Sequence, residues 1–530
     1  MSYEVRRHHA GRPPEQAWSE KGPPLILPDD EHNRRLVEQV HPPTWVNPKP
    51  SGRYNLVVIG GGTAGLVSAA GAAGLGAKVA LIEKHLLGGD CLNFGCVPSK
   101  ALLRAARVAH DVRGAARFGV HVPGTVRVEF AEVMERMRRL RAEIAPNDSA
   151  LRLSRLGVDV YLGEGTFVGP DSVEVAGQVL SFHRAIIATG GRGASLPVPG
   201  LAEAGFLTNE TIFSLTELPR RLVVIGAGPI GCELAQAFRR FGSEVSIVSL
   251  DPRLLPREEA QAAAVLAAQF EREGIRMSLG ARIHRVERRG ADKIVMFDRG
   301  NGPEEVLGEE ILVAAGRTPN VEGLQLERAG VEVAKQSIRV DDRLRTSNKR
   351  IYAAGDVCSA YLFTHAADAM ARLVLQNALF FGRKRASGLV IPWCTYTDPE
   401  VAHVGLYQRE AEQRGHDVQT FTTPLHEVDR AILDGETEGF AQALVDRKTG
   451  RILGATLVAR HAGEMISEMS LAITSGLRIG DMSRTIHPYP TQAEAWKRLG
   501  DASQRARLTP RLGKLFRWWF SFMLRFGGGR

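Results

Sequence analysis

Leu56-Val57-Val58-Ile59-Gly60-Gly61-Gly62-Thr63-Ala64-Gly65 joins a short apolar run to a glycine-rich turn, and a stretch of small residues follows it to Gly76. The run reads as a buried parallel strand and the stretch as a helix. A second strand, Lys78 to Ile82, closes in Glu83. In that setting each glycine has its own task. Gly60 allows the tight turn, Gly62 lets the backbone approach a pyrophosphate, and Gly65 permits close packing of the helix. The helix start offers N–H groups to phosphates, and Glu83 can accept from ribose hydroxyls. Only Lys78 interrupts the apolar character of 56–82, but its seven glycines and the dinucleotide reading argue against a membrane span.

The unit recurs. Leu222 to Ile225 leads into Gly226-Ala227-Gly228-Pro229-Ile230-Gly231, then a helix through Phe241 and a strand from Glu244 to Val248. Both copies keep all three glycines, so two dinucleotides are expected, a bound flavin and a diffusible nicotinamide. Between the copies, Val158 to Val179 alternates in short strands and 184–191 reads as a buried strand with a glycine turn. A matching segment, 310–320, follows the second copy. Ile351 to Asp356 closes another strand in an acid, where open α/β sheets bind ligands, so Asp356 is placed against the cofactor's sugar chain. From about Gly388 alternating strands (Val390–Thr397, Gln419–Pro424, Gly439–Asp446, Ile452–Val458) precede a helix from Ala462 to Ser475, an α+β pattern.

Between the first unit and the strands comes Gly88-Gly89-Asp90-Cys91-Leu92-Asn93-Phe94-Gly95-Cys96-Val97-Pro98-Ser99-Lys100. Two cysteines five positions apart at a helix start can store two electrons as a disulfide, and the helix start and Lys100 favour the reactive thiolate. A zinc site would need two further ligands, and none stands at suitable spacing. Cys232, Cys358 and Cys394 read as packing residues.

Length and composition set outer bounds. The 530 residues suggest about three domains, and 44% hydrophobic with 24% charged residues is the composition of a folded soluble protein. The net charge of +9 is scattered and lacks a basic stripe interleaved with aromatics, so nucleic acid is not an expected partner. Five cysteines are too few for a secreted disulfide scaffold of this size. With no secretory signal in the Pro-, Arg- and His-rich first 50 residues, which read as an extended or partly ordered lead-in, a reducing, cytoplasmic location is expected.

With these pieces placed, the chain resembles the class I pyridine nucleotide-disulfide oxidoreductases, the family of glutathione reductase and lipoamide dehydrogenase, and within it the mercuric-reductase-like branch. The likeness covers about 54–500 and rests on both fingerprints, the cysteine stretch and the strand ends. It implies an α/β fold with two Rossmann-like dinucleotide-binding domains and an α+β C-terminal dimerisation domain. The implied division is an arm (1–53), a discontinuous FAD domain (54–200 and 320–386), an NAD(P) domain (201–319), a dimerisation domain (387–505) and a basic amphipathic tail (506–530). It implies FAD held by Gly60, Gly62, Gly65, Glu83, Thr189 and Asp356, and NAD(P)H held by Gly226, Gly228 and Gly231. Lys100 and Glu233 match an ion pair beside the flavin. Cys96 matches the thiol on the flavin side, and Cys91 the thiol that exchanges with substrate. A homodimer is implied, with each active site completed by the partner chain.

Departures from the family pattern narrow the acceptor. The disulfide-reducing members carry His-Pro-Thr-x-x-Glu near the end. Here the stretch is Ile486-His487-Pro488-Tyr489-Pro490-Thr491-Gln492-Ala493-Glu494, and aligning Pro490-Thr491 and Glu494 puts Tyr489 at the acid-base position. A phenol, with its ordinary pKa of about 10, is a poor base at neutral pH. His487, two positions away, reads as an ordinary loop histidine. Mercuric reductases share the tyrosine, which suits soft-metal reduction by thiolates. They normally add a cysteine pair at the extreme C-terminus, and none follows Cys394 here. The expected acceptor is therefore a soft metal ion or a small disulfide or quinone, with no resident metal site. Dihydrolipoamide dehydrogenase is the alternative enzyme, and a redox-sensing or membrane-docked electron-transfer partner is the alternative of another class. Ser249 stands where NAD enzymes place an acid, and Arg253 and Arg257 tilt the expectation toward NADPH. Finally, Arg511 to Phe526 plots as an amphipathic helix suited either to peripheral contact at the inner face of the membrane or to packing on the dimer.

Overall fold

The structure, a computed structural model, describes residues 26–526. The first half of the expected lead-in and the last four residues lie outside that range. The chain forms two compact units, one running to Arg257 and resuming over Phe270–Leu389, the other made of Glu258–Gln269 and the chain from Val390 onward.

The first unit is built on two parallel sheets. In the larger, the fingerprint strand Tyr54–Ile59 lies between Val79–Glu83 and Gln178–Ile187, with Val158–Leu162 beyond the former and Ile351–Ala353 beside the latter, all parallel. The strands are buried on both faces, one under the helix Thr63–Gly74 and the other against Phe167, Val173, Val175, Leu324 and Leu326, which is why they read as continuous apolar runs. Gly165–Gly169 and Ser172–Val175 extend the sheet by antiparallel pairing. The second sheet repeats the plan, with Arg221–Ile225 between Glu244–Ser249 and Glu310–Val313 and Arg276–Leu279 at one edge. In both sheets the glycine turn leaves the carboxyl end of a central strand and enters a helix, Thr63–Gly74 or Pro229–Phe241.

Three features differ from the sequence reading. The lead-in is not extended throughout, since Glu31–Val40 is a helix whose first turn is capped by the Asp30 carboxylate and whose Leu36 and Val40 are fully buried. An antiparallel meander, Arg282–Arg289, Asp292–Asp298 and Pro303–Gly308, is inserted between the strands Arg276–Leu279 and Glu310–Val313 of the second sheet. Its first strand is mostly charged and carries a register shift after Ile283, which breaks the two-residue period by which a strand is recognised. A third unread element lies in the second unit.

That unit is an antiparallel five-stranded sheet in the order Pro392–Thr395, Glu400–Gly405, Ile452–Ala459, Phe440–Asp446, Val418–Pro424. Ala402, Val404, Ala441, Ala443, Ala455 and Leu457 pack one face against Ala462–Thr474 and the fully buried Trp496. The unread strand is Glu400–Gly405, the second of the five. It has no polar alternation because its first five residues are all buried.

Candidate active site

Both glycine turns fit a dinucleotide. Gly60 sits at φ +105°, and a Cβ there would lie 2.3 Å from the carbonyl oxygen of Ala188. A Cβ on Gly65 would lie 1.8 Å from Gly60 O, so the helix packs against the turn only with glycine there. Gly62 by contrast has no neighbour closer than 3.7 Å, which leaves its backbone open to a ligand. The second turn repeats this arrangement, with Gly226 at φ +115°, a Cβ on Gly231 falling 2.2 Å from Gly226 O, and Gly228 in open space.

The acid at the end of the second strand serves the first turn directly. Glu83 is buried, and its two oxygens accept from the backbone N–H groups of Gly61 at 2.5 Å and His85 at 2.6 Å. Burial raises its pKa, and the two N–H groups work against that rise. Thr189 and Asn320 bind each other, the hydroxyl donating to Asn320 O at 2.6 Å and the Asn320 amide to Thr189 O at 3.0 Å.

The redox stretch stands next to the first turn. A Cβ on Gly89 would lie 2.6 Å from Gly62 Cα, so the short helix Gly89–Asn93, which carries Cys91, rests on the fingerprint backbone. Cys96 opens the helix Cys96–Gly114. Both thiols are free, with Cys96 the more exposed. The Cys91 side chain hydrogen-bonds to Cys96, which together with the Thr364 hydroxyl and the Lys100 charge draws the Cys96 pKa down to about 6 against the opposing effect of burial. The same bond, with burial, pushes the Cys91 thiol up. The shared bond thus favours the proton on Cys91 and the negative charge on Cys96. Lys100 Nζ lies 2.8 Å from Glu233 Oε2, and Glu233 is buried at the start of the second fingerprint helix. The ion pair therefore links the redox helix to the second nucleotide unit.

Three groups here escaped the sequence reading. Thr364 Oγ1 lies 3.3 Å from Cys96 Sγ across a separation of 268 residues, at the start of the helix Thr364–Leu379. Nothing local to Thr364 announces that contact. Arg317, in a segment singled out only as a strand end, pairs with Asp90 at 3.0 Å and with Asp356 at 3.3 Å and donates to Gly191 O. It joins the residue before Cys91 to the acid expected at the sugar chain. Asp251 lies with its carboxylate 3.3 Å from the Ser249 hydroxyl and its N–H donating to that same hydroxyl oxygen, so an acid stands beside Ser249.

The second unit holds the remaining candidates. Tyr489 is 70% exposed, and its hydroxyl donates to Asp429 Oδ2 at 2.9 Å. That bond raises its pKa further, so the phenol is a proton donor and not a base at neutral pH. His487 is tied down, with Nε2 3.0 Å from Glu468 and Nδ1 3.2 Å from Thr485 O. Glu494 opens the helix Glu494–Ala506, and its Oε2 is sheltered with no hydrogen-bond partner among the described residues. Among those residues no group of three or more His, Cys, Asp or Glu side chains could hold a metal ion, and no helix is long and apolar enough to cross a membrane.

Comparison with known proteins agrees with this geometry. The family model described as pyridine nucleotide-disulphide oxidoreductase matches residues 54–371, and that of the dimerisation domain of the same oxidoreductases matches 391–499. A mercuric reductase of Bacillus cereus is 37% identical over 445 residues, spanning 84% of this chain and 70% of its own. A dihydrolipoyl dehydrogenase of Bacillus subtilis is 32% identical over 468 residues, spanning 86% of this chain and 98% of its own. Among solved structures, the Cu(II) complex of an HOCl-induced flavoprotein disulfide reductase, RclA from Escherichia coli, aligns with a TM-score of 0.75 at 28% identity, over 85% of this chain and 100% of that one.

Proposed function

The chain belongs to the pyridine nucleotide-disulphide oxidoreductases, and from that membership we propose that its Cys91–Cys96 pair reduces a small acceptor of the mercuric-reductase type. The family uses FAD and NAD(P)H, and this chain is an FAD-dependent pyridine nucleotide oxidoreductase of mixed α/β fold. Bound FAD supplies hydride acceptance from the nicotinamide and release of two electrons. The chain's own residues do the rest. Gly60, Gly62 and Gly65 with Glu83, Thr189 and Asp356 hold the flavin nucleotide, and Gly226, Gly228 and Gly231 hold the nicotinamide nucleotide. Two electrons and one proton convert the Cys91–Cys96 disulfide into the Cys91 thiol and the Cys96 thiolate, with Thr364 and Lys100 steadying the anion. Cys91 then meets the acceptor.

One observation carries the choice of acceptor. Tyr489 is an exposed phenol held protonated by Asp429, and the neighbouring histidine is bound to Glu468. A proton shuttle for thiol–disulfide exchange needs a group that both takes and gives a proton near neutral pH. A soft metal ion needs only thiolates. Dihydrolipoamide oxidation is the second reading, supported by the dihydrolipoyl dehydrogenase relative and opposed by the same phenol. The dimerisation domain supports a homodimer. In it Tyr489 and Glu494 complete the partner's site, and the enzyme works in the cytoplasm with peripheral contact at the inner face of the membrane through its tail.

The test is rapid-mixing reduction of the enzyme with NADPH, followed by addition of Hg(II), Cu(II), oxidised lipoamide, glutathione disulfide or a quinone. Turnover is expected with a soft metal ion, falling about a thousandfold in Cys91→Ser while reduction by NADPH persists. Full turnover of Cys91→Ser with every active acceptor would leave direct flavin chemistry as the mechanism. Faster turnover with oxidised lipoamide than with any metal would select the second reading.

A further inference from the structure

The helix Pro510–Phe526 has none of its described side chains buried. Leu515, Phe516, Trp519, Phe520, Met523 and Leu524 are 41–86% exposed. At 3.6 residues per turn, Leu512, Leu515, Phe516, Trp519, Phe520 and Met523 share one wide arc, Lys514, Arg517 and Arg525 stand opposite with Trp518 beside them, and Arg511 lies at the edge of the arc. A helix of this length draws most of its stability from covering its apolar face, since an isolated one is marginal in water. The apolar arc therefore calls for an occupant.

Charge selects among the candidates. Asp501 is the last acidic residue of the chain, and Arg505, Arg507, Arg511, Lys514, Arg517, Arg525 and Arg530 follow it with no Asp or Glu among them. A second copy of the tail would bring the same cationic segment, because a two-fold interface sets like against like. The family's dimerisation domain also ends at residue 499, before the tail begins. A lipid surface with negative headgroups offers both missing partners, acyl chains for the aromatic arc and anions for the basic arc. Crossing the bilayer is excluded by length and charge.

We propose that Pro510–Phe526 docks the enzyme on anionic phospholipid, lying in the plane of the surface with its Trp519 and Phe520 side at the acyl boundary and its Arg and Lys side on the headgroups. Such docking rests on the peripheral location given above and is independent of which acceptor the redox pair serves. A homodimer carries two of these helices, so modest partition of one becomes firm attachment when both engage.

The experiment is sedimentation of the flavin-loaded, full-length enzyme with vesicles of phosphatidylcholine alone or of phosphatidylcholine with one-quarter phosphatidylglycerol. Binding to the anionic vesicles is expected to exceed that to neutral ones by about tenfold and to drop by a similar factor in 1 M salt. Removal of Trp519 and Phe520 (both →Ser), or neutralisation of Arg511, Lys514, Arg517 and Arg525 (all →Gln), abolishes it. Flavin content and reduction by NADPH remain unchanged in both, which separates loss of docking from loss of the enzyme. A truncation after Arg507 removes the helix without entering the dimerisation domain. Continued vesicle binding by the truncated protein, equal binding to both vesicle types, or no sedimentation of the full-length enzyme would overturn the proposal. A dimer that falls apart on truncation would overturn it too, assigning the apolar arc to the copy–copy contact.

Discussion

In the first fingerprint a Cβ on Gly65 would fall 1.8 Å from Gly60 O, and in the second a Cβ on Gly231 would fall 2.2 Å from Gly226 O, with both turn glycines at φ above +100°. The phosphate cradles are thus the same object built twice. They differ in how they touch the redox stretch. The first meets it backbone to backbone, Gly62 against Gly89, while the second lies against it through its helix, where Glu233 pairs with Lys100 and Arg240 O accepts from Arg113. They differ also at the sugar. The first closes in the buried Glu83, the second in Ser249 with Asp251 beside it. A resident cofactor calls for a fixed wall against the chemistry, whereas a cofactor that comes and goes suits an adjustable link.

The sharpest way to break that comparison is to add one methyl group to each helix. Gly65→Ala has no room, because its neighbour is backbone of the same turn. It should yield protein without flavin, read directly from the visible spectrum of the purified enzyme. Gly231→Ala is equally crowded but lies in the unit proposed to bind the diffusible cofactor. It should keep its flavin and lose reduction by NADPH by a hundredfold or more, about 3 kcal/mol, while dithionite still reduces it. If Gly231→Ala also lost its flavin, the two cradles would not be separable.

The link to the redox helix comes next in size. Glu233 is 6% exposed in its side chain and Lys100 38%. Lys100→Met removes the ion-pair partner of a buried carboxylate and should cost about 2 kcal/mol of stability, allowing for the solvent at the lysine end. Glu233→Gln leaves the lysine a route to water and should cost about half that, both measured by denaturant titration. The same variants report on the thiolate. The Cys96 pKa is depressed to about 6, so alkylation of the reduced enzyme should be constant above that pH and fall as pH drops through it. Lys100→Met removes a positive charge that favours the anion and must move that midpoint upward. An unmoved midpoint would leave the Cys91 and Thr364 hydrogen bonds as the whole cause.

How much of this was written in the chain depends on the range of the interaction. The fingerprint strands lie within two residues of their expected bounds because period, glycine position and terminal acid are all local. The cysteine pair is local too, as is the Tyr489 departure. The Thr364 contact joins residues 268 apart and has no signature in either neighbourhood. Arg317 sits in a segment that drew attention, but its pairing with both Asp90 and Asp356 is a product of the fold. The strand Glu400–Gly405 was lost for the opposite reason, since a strand buried along its length has no polar alternation to show.

Asp251 offers the smallest and most discriminating test of the comparison. Read from the sequence, Ser249 at the end of the second strand leaves room for the additional phosphate of NADPH. In the structure the Asp251 carboxylate stands 3.3 Å from the Ser249 hydroxyl, and Ser249 Oγ accepts from the Asp251 N–H, so a two-residue bridge returns a negative charge to the strand end proposed to face the sugar. A carboxylate there accepts from ribose hydroxyls and repels a phosphate. Asp251→Asn should therefore shift the ratio of kcat/KM for NADPH over NADH upward by about tenfold, or about 1.4 kcal/mol. Ser249→Asp, which adds the acid directly as Glu83 does in the first unit, should shift it the other way. Both ratios come from steady-state assays with a common acceptor. If Asp251→Asn leaves the ratio unchanged, the second unit does not read the sugar through this bridge. The contrast with Glu83 would then reduce to the redox contacts alone.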